Sequence, residues 1–96
     1  IAKMKRGAFV INTSRGPVID ETALAEALES GALGGAAVDV LSQEPPVDGS
    51  PLIGAKNAIV TPHIAWASKE ARTRLIGLVQ KNIASYLEGG MENRVV

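Results

Sequence analysis

The sequence has no cysteine, one histidine, and one each of tryptophan, tyrosine and phenylalanine, and its ten Lys and Arg residues cancel ten Asp and Glu. Without cysteine there is no disulfide framework and no thiolate zinc site, a composition that fits a reducing compartment. Zero net charge and a pI near 6.8 leave no electrostatic footprint for nucleic acid or an anionic membrane surface. No stretch reaches the roughly 18–20 apolar residues of a membrane span, and no basic-then-apolar leader precedes a small-residue cleavage site. Nucleic-acid, membrane and disulfide-stapled classes are therefore set aside, and a soluble, cytoplasmic globular piece is the expectation.

What is present is small. Hydrophobic residues make up 46% of the 96, yet fourteen of them are alanine, and ten glycines accompany them. That is the composition of thin, closely packed layers, as in helices laid on a parallel sheet. A free-standing mini-protein would need larger core side chains or covalent staples.

Ile1-Ala2-Lys3-Met4-Lys5-Arg6 reads as the tail of a helix, with apolar positions at 1 and 4, cations at its end and Gly7 as a stop. No N-cap precedes it, so the element is expected to begin outside this sequence. Ala8-Phe9-Val10-Ile11-Asn12 is an unbroken apolar run, the pattern of a strand buried on both faces. The polar loop Thr13-Ser14-Arg15-Gly16-Pro17 follows. Asp20 is placed to cap a helix, Glu21 sits in its first turn, Ile19 and Leu24 are spaced as a hydrophobic staple, and Leu24 and Leu28 keep one face apolar up to Gly31. The rhythm then repeats: a strand over 36–40, the loop Ser42-Gln43-Glu44-Pro45-Pro46, a turn at 48–51, and a third strand over 58–61 that stops at Pro62-His63. From about Ser68 to Glu88, Leu75, Ile76, Val79, Ile83, Tyr86 and Leu87 recur at helical spacing until Gly89-Gly90. The fold class is α/β: about three parallel strands joined by right-handed crossovers, with flanking helices and a long C-terminal helix, part of a Rossmann-type doubly wound sheet.

In open parallel sheets ligands bind at the carboxyl ends of the strands. Arg15 follows the first strand, Asp39 and Glu44 lie at and beyond the second, and His63 follows the third, so topology predicts that all four share one edge. A guanidinium there can grip a keto-acid carboxylate bidentately and polarise its carbonyl. An imidazole can give or take a proton, and a neighbouring carboxylate favours the imidazolium. Each residue alone also has a plainer reading: a surface histidine, a solvated arginine, an exposed Glu44, a Trp66 that covers apolar surface. Asp39 differs, because an acid flanked by valines must find hydrogen-bond partners.

Asn12-Thr13-Ser14-Arg15-Gly16, Val18-Ile19-Asp20, Leu24 and Leu28, Gly35 to Val40, Glu44-Pro45 and Thr61-Pro62-His63-Ile64 together resemble the NAD-dependent D-isomer-specific 2-hydroxyacid dehydrogenases, in order and spacing. The resemblance covers essentially the whole chain. It implies Arg15 as binder of the substrate carboxylate, His63 as acid–base and Glu44 as its partner. It also implies Asp39 against the nicotinamide carboxamide of NAD, or NADP, with Thr13, Ser14, Arg15, His63, Ile64, Ala65 and Trp66 lining the cofactor's nicotinamide end. The His63-Ile64-Ala65-Trp66 run is similar to the glycerate dehydrogenase (hydroxypyruvate reductase) branch, which implies a small 2-keto or 2-hydroxy acid as substrate. Metal ligands are not expected, and the family implies a homodimer formed through this domain.

The family's phosphate-binding G-x-G-x-x-G turn does not occur in these residues. Gly31 to Gly35 follows a helix and opens a strand, the reverse of the order that a pyrophosphate needs. The 96 residues are thus expected to be the C-terminal portion of a dinucleotide-binding domain, without a substrate domain and inactive by themselves. An unpaired apolar edge at Phe9-Val10-Ile11 would favour self-association, so Phe9, Leu75 and Val79 are expected to be buried against another copy or against chain outside these residues. The competing reading is a non-catalytic α/β module that keeps the motif residues for packing. A receiver-like signalling domain is disfavoured because no acid cluster follows the first strand.

Overall fold

The computed structural model describes residues 1–95. Its elements are strand β1 (Phe9–Asn12), a single 3-10 turn (Gly16–Val18), helix α1 (Glu21–Glu29), strands β2 (Gly35–Val38) and β3 (Ala58–Val60), and helix α2 (Lys69–Leu87). Two compact units divide the chain: Ile1–Ala65, and a second that starts at Trp66.

In the first unit the three strands form one parallel sheet in the order β1-β2-β3. Asn12 stands beside Val38, and Val38 beside Val60. The ladder continues one step as the strands end: the Asp39 amide donates to the Asn12 carbonyl at 2.8 Å and the Thr61 amide to the Val38 carbonyl at 3.0 Å. The register therefore brings all three loops out at one edge. β2 is shorter than the apolar run suggests and stops before Asp39, whose side chain is engaged elsewhere. Gly35 opens it because a Cβ there would meet the Phe9 ring at 2.8 Å.

α1 forms where its punctuation predicts. The Asp20 carboxylate accepts from the Ala23 amide at 3.0 Å, and Leu24 and Leu28, one turn apart, are both fully buried. They pack with Leu33, Ala36, Val38, Leu41 and Leu52, and Ile19 lies against the same cluster, as a staple requires.

Two expectations are corrected. β1 is covered on one face only: Val10 packs toward the core, while Phe9 and Ile11 are 73% and 75% exposed. Alternate residues of a strand face opposite ways, and α1 covers one side. Residues 1–6 form turns rather than a helix end, with the Met4 amide donating to the Ile1 carbonyl and the Ala8 amide to the Lys5 carbonyl. Isolated turns without a continuous ladder do not overcome the cost of helix nucleation.

In the second unit α2 begins at Ser68, whose hydroxyl accepts from the Ala71 amide at 3.1 Å, and ends before Gly89, which has φ of 77°. None of its residues is buried, and Leu75 and Val79 are exposed. Among the described residues no helix is long and apolar enough to cross a membrane.

Candidate active site

The edge is built from three loops, each braced by a polar residue at the end of a strand. At the first, Asn12 is buried, and its side chain closes the loop on itself. Its Nδ2 donates to the Arg15 carbonyl at 2.9 Å, and its Oδ1 accepts from the Ser14 amide at 3.0 Å and the Ser14 hydroxyl at 3.2 Å. Arg15 is exposed, with Nη1 donating to the Ser14 carbonyl at 2.7 Å. Gly16 then passes so close to the next loop that a Cβ would fall on the Leu41 carbonyl. Only glycine lets these two backbones meet.

At the second loop the Leu41 amide donates to Glu44 Oε1 at 2.8 Å. The other carboxylate oxygen, Oε2, lies 2.7 Å from His63 Nδ1. The His63 ring first, then the Leu41 amide, hold the Glu44 carboxyl below its ordinary range against some desolvation, and the charges of His63 and Arg15 add to this. An ionised carboxylate only accepts hydrogen bonds, so Nδ1 carries the proton. Nε2 is then the nitrogen whose protonation distinguishes imidazole from imidazolium.

The third loop is held from beneath by Asp39, only 5% exposed. Its Oδ1 accepts from the Thr61 hydroxyl at 2.5 Å and the Ile64 amide at 2.9 Å, and its Oδ2 from the Ala65 amide at 2.8 Å. Its own carbonyl accepts from the His63 amide, also at 2.9 Å. The Thr61 hydroxyl is the largest cause, ahead of the Ala65 and Ile64 amides, that keeps this carboxyl below its ordinary range despite burial. These bonds bracket His63, whose φ of 53° is left-handed. For a residue with a Cβ that conformation costs on the order of 1–3 kcal/mol, so the Asp39 contacts hold the imidazole where the chain would not otherwise put it. The acid in the apolar run is thus explained by its partners.

Two concavities adjoin the edge. One, of about 270 Å³, brings Thr13, Asp39, Ile64 and Ala65 together with the apolar Ile11 and Ile59. The other, of about 520 Å³, is walled by Leu41, Pro45, Pro46, Ile53 and Val60 and reaches Glu44 and His63. Arg15 lies close enough for its charge to act on Glu44. Ser14 is in the same loop, and Trp66 is an exposed residue at the start of the second unit.

Three further residues shape the site. Asn12 and Thr61 fix the Arg15 and His63 loops, and Glu21 reaches from α1 to Ser42 and Ser50. A polar residue closing an apolar strand was a visible signal for Asn12. No comparable signal marked Glu21, which reads as an ordinary first-turn acid.

The model of the family described as D-isomer specific 2-hydroxyacid dehydrogenase, NAD binding domain, matches residues 1–65. The hydroxypyruvate reductase of Blautia hydrogenotrophica is 50% identical over 99% of this chain and 30% of its own length. The glycerate dehydrogenase of Methylorubrum extorquens is likewise 50% identical, over 99% of this chain and 31% of its own. An acyclic imino acid reductase (Bsp5), solved in complex with NADPH and D-Arg, superposes with a TM-score of 0.75 at 39% identity, covering 97% of this chain and 29% of that one. The chain thus spans about a third of the length of the relatives it matches. With a parallel sheet of Rossmann type and a family match over most of its length, this chain belongs to the D-isomer specific 2-hydroxyacid dehydrogenases, and its residues 1–65 match their NAD-binding domain.

Proposed function

We propose that these residues form the acid–base edge of an oxidoreductase that moves a hydride between NAD(P)H and a small 2-keto or 2-hydroxy acid such as hydroxypyruvate or glycerate. The observation that carries the reading is the Glu44–His63 contact of 2.7 Å, with Arg15 close enough for its charge to act on Glu44.

The donor set suits a nicotinamide end. Three internal donors use three of the roughly four acceptor directions of the Asp39 carboxylate, leaving one for an external amide N–H. Thr13, Ile64 and Ala65 border the same small concavity, and with Ser14, Arg15 and His63 they are the residues that would hold that end. When bound, the nicotinamide supplies or accepts the hydride at the substrate's second carbon.

The protein's own part is positioning and proton transfer. Arg15 grips the substrate carboxylate and draws charge from the adjacent carbonyl. In reduction His63 gives the proton on Nε2 to the oxygen that becomes the hydroxyl; in oxidation it takes that proton back. Glu44 fixes the ring through Nδ1 and favours the imidazolium by its charge. We read the working form as a homodimer made through this domain.

The test is turnover by the full-length protein that carries this chain, followed as loss of reduced-nicotinamide absorbance with hydroxypyruvate, glyoxylate and pyruvate, using NADH and NADPH in turn. Reduction of at least one of these acids is expected. No oxidation of either nucleotide with any of them would overturn the proposal.

A further inference from the structure

The loop between β2 and β3 carries Glu44 yet has no helix or strand of its own from Asp39 to Asn57. Something else must set where Glu44 stands. The first turn of α1 provides it. Glu21 Oε1 accepts from the Ser42 amide at 2.5 Å, and its Oε2 accepts from the Ser50 hydroxyl, also at 2.5 Å. One carboxylate therefore closes residues 42–50 like a clasp, across 21 and 29 positions of sequence. Ser42 follows Leu41, whose amide binds Glu44. The Ser50 oxygen in turn lies 3.2 Å from the amide of Leu52, a fully buried core residue that it accepts from. The clasp thus ties the Glu44 loop to the helix on one side and to the core on the other.

We propose that Glu21 is a positioning residue for the Glu44–His63 pair, acting through the Ser42 amide and the Ser50 hydroxyl; its part in turnover rests on the dehydrogenase reading above. Glu21 touches the loop that carries Glu44 through hydrogen bonds at Ser42 and Ser50, so its proposed action is on the geometry of that loop. Burial works against the Glu21 charge, but the Ser50 hydroxyl and the Ser42 amide and hydroxyl outweigh it and keep this carboxyl below its ordinary range as well. The clasp is accordingly ionised at neutral pH, when its hydrogen bonds are strongest.

The test is a carbon-detected NMR titration of the Glu44 and Asp39 carboxyls in the chain and in Glu21→Ala, Glu21→Gln, Ser50→Ala and His63→Ala. Glu21→Ala is expected to move the Glu44 midpoint up toward that of an ordinary glutamate while Asp39, whose partners Glu21 does not touch, keeps its wild-type midpoint. Glu21→Gln lacks the charge but can still accept from Ser42 and bond Ser50, so it should stay near wild type. Ser50→Ala, which leaves Glu21 in place, should shift Glu44 part of the way, and it decides the matter if Glu21→Ala does not fold. A Glu44 titration unchanged in Glu21→Ala and Ser50→Ala overturns the inference. So does equal movement in the Ala and Gln variants, which would mark a charge effect, or equal movement of Asp39, which would mark general loosening. If His63→Ala leaves Glu44 unmoved, the Glu44–His63 pair itself fails; if His63→Ala moves Glu44 and Glu21→Ala does not, only the clasp fails. In the full-length enzyme kcat should fall by roughly tenfold to a hundredfold in Glu21→Ala, with KM for the nucleotide unchanged and recovery in Glu21→Gln. Absence of turnover in every variant would strike the dehydrogenase reading and leave the titration to decide the clasp.

Discussion

Gly16→Ala isolates the contact that lets the arginine loop meet the glutamate loop. Gly16 has no left-handed φ, so alanine brings no conformational penalty there; the added Cβ simply lands on the Leu41 carbonyl and the Ser42 amide. In a site with room, the change would stabilise by about 0.4–1 kcal/mol through the unfolded chain. Here the neighbours are backbone atoms on two loops and cannot swing away, so the upper part of the roughly 1–3 kcal/mol range for overpacking applies. The net expectation is a loss of about 2 kcal/mol, or roughly 10 °C in Tm for a domain of this size. The displaced Leu41 amide should also loosen from Glu44 Oε1, and the Glu44 carboxyl should titrate closer to an ordinary glutamate. Urea unfolding and the carboxyl titration read the two effects separately. Wild-type stability together with an unchanged Glu44 titration would show that the loops are not packed as described.

Other outcomes follow from the same structure. Gly77→Ala, where a Cβ meets nothing within 4 Å, should raise the helicity of α2 and stabilise it by about 1 kcal/mol; a loss of helical circular dichroism would contradict this. Asp39 has a folded-state carboxyl held below its ordinary value, so its contribution is fully present above about pH 4 and is lost as pH falls through the lower folded value. The stability gap between wild type and Asp39→Asn, read by urea unfolding, should therefore narrow as pH drops below about 4, and a gap constant with pH would refute the assignment. These 96 residues alone should show no turnover and bind NADH on the order of millimolar or weaker, because the helix N-terminus that binds pyrophosphate and the ribose acid supply most of the affinity. Micromolar binding by calorimetry would contradict that.

The three strands, α1 and α2 were legible because each rests on short-range signals. Asp20 and Ser68 cap their helices, Leu24 and Leu28 repeat at one turn, and β-rich runs end at polar residues. Placement of Arg15, Asp39, Glu44 and His63 near one edge followed from parallel topology. What stayed hidden depends on long-range contacts. The one-sided burial of β1 turns on which neighbours cover Phe9 and Ile11, and no local pattern states that. The reach of Glu21 to Ser50 spans 29 residues through a loop without periodicity. The left-handed His63 is held by Asp39 partners that only the fold brings together. Residues 1–6 carried the right composition for a helix end, but composition does not supply the missing hydrogen-bond ladder.

The central claim is that Glu44 acts through His63, and a double-mutant cycle on kcat tests it most directly. In the full-length enzyme His63→Ala should lower kcat by at least about a hundredfold, the usual worth of a positioned acid–base group. Glu44→Gln should lower it less. In the His63→Ala background, Glu44→Gln should then cost almost nothing more, because its partner is already gone. If Glu44→Gln lowers kcat by the same factor in both backgrounds, the two residues act independently and the account of the pair is wrong.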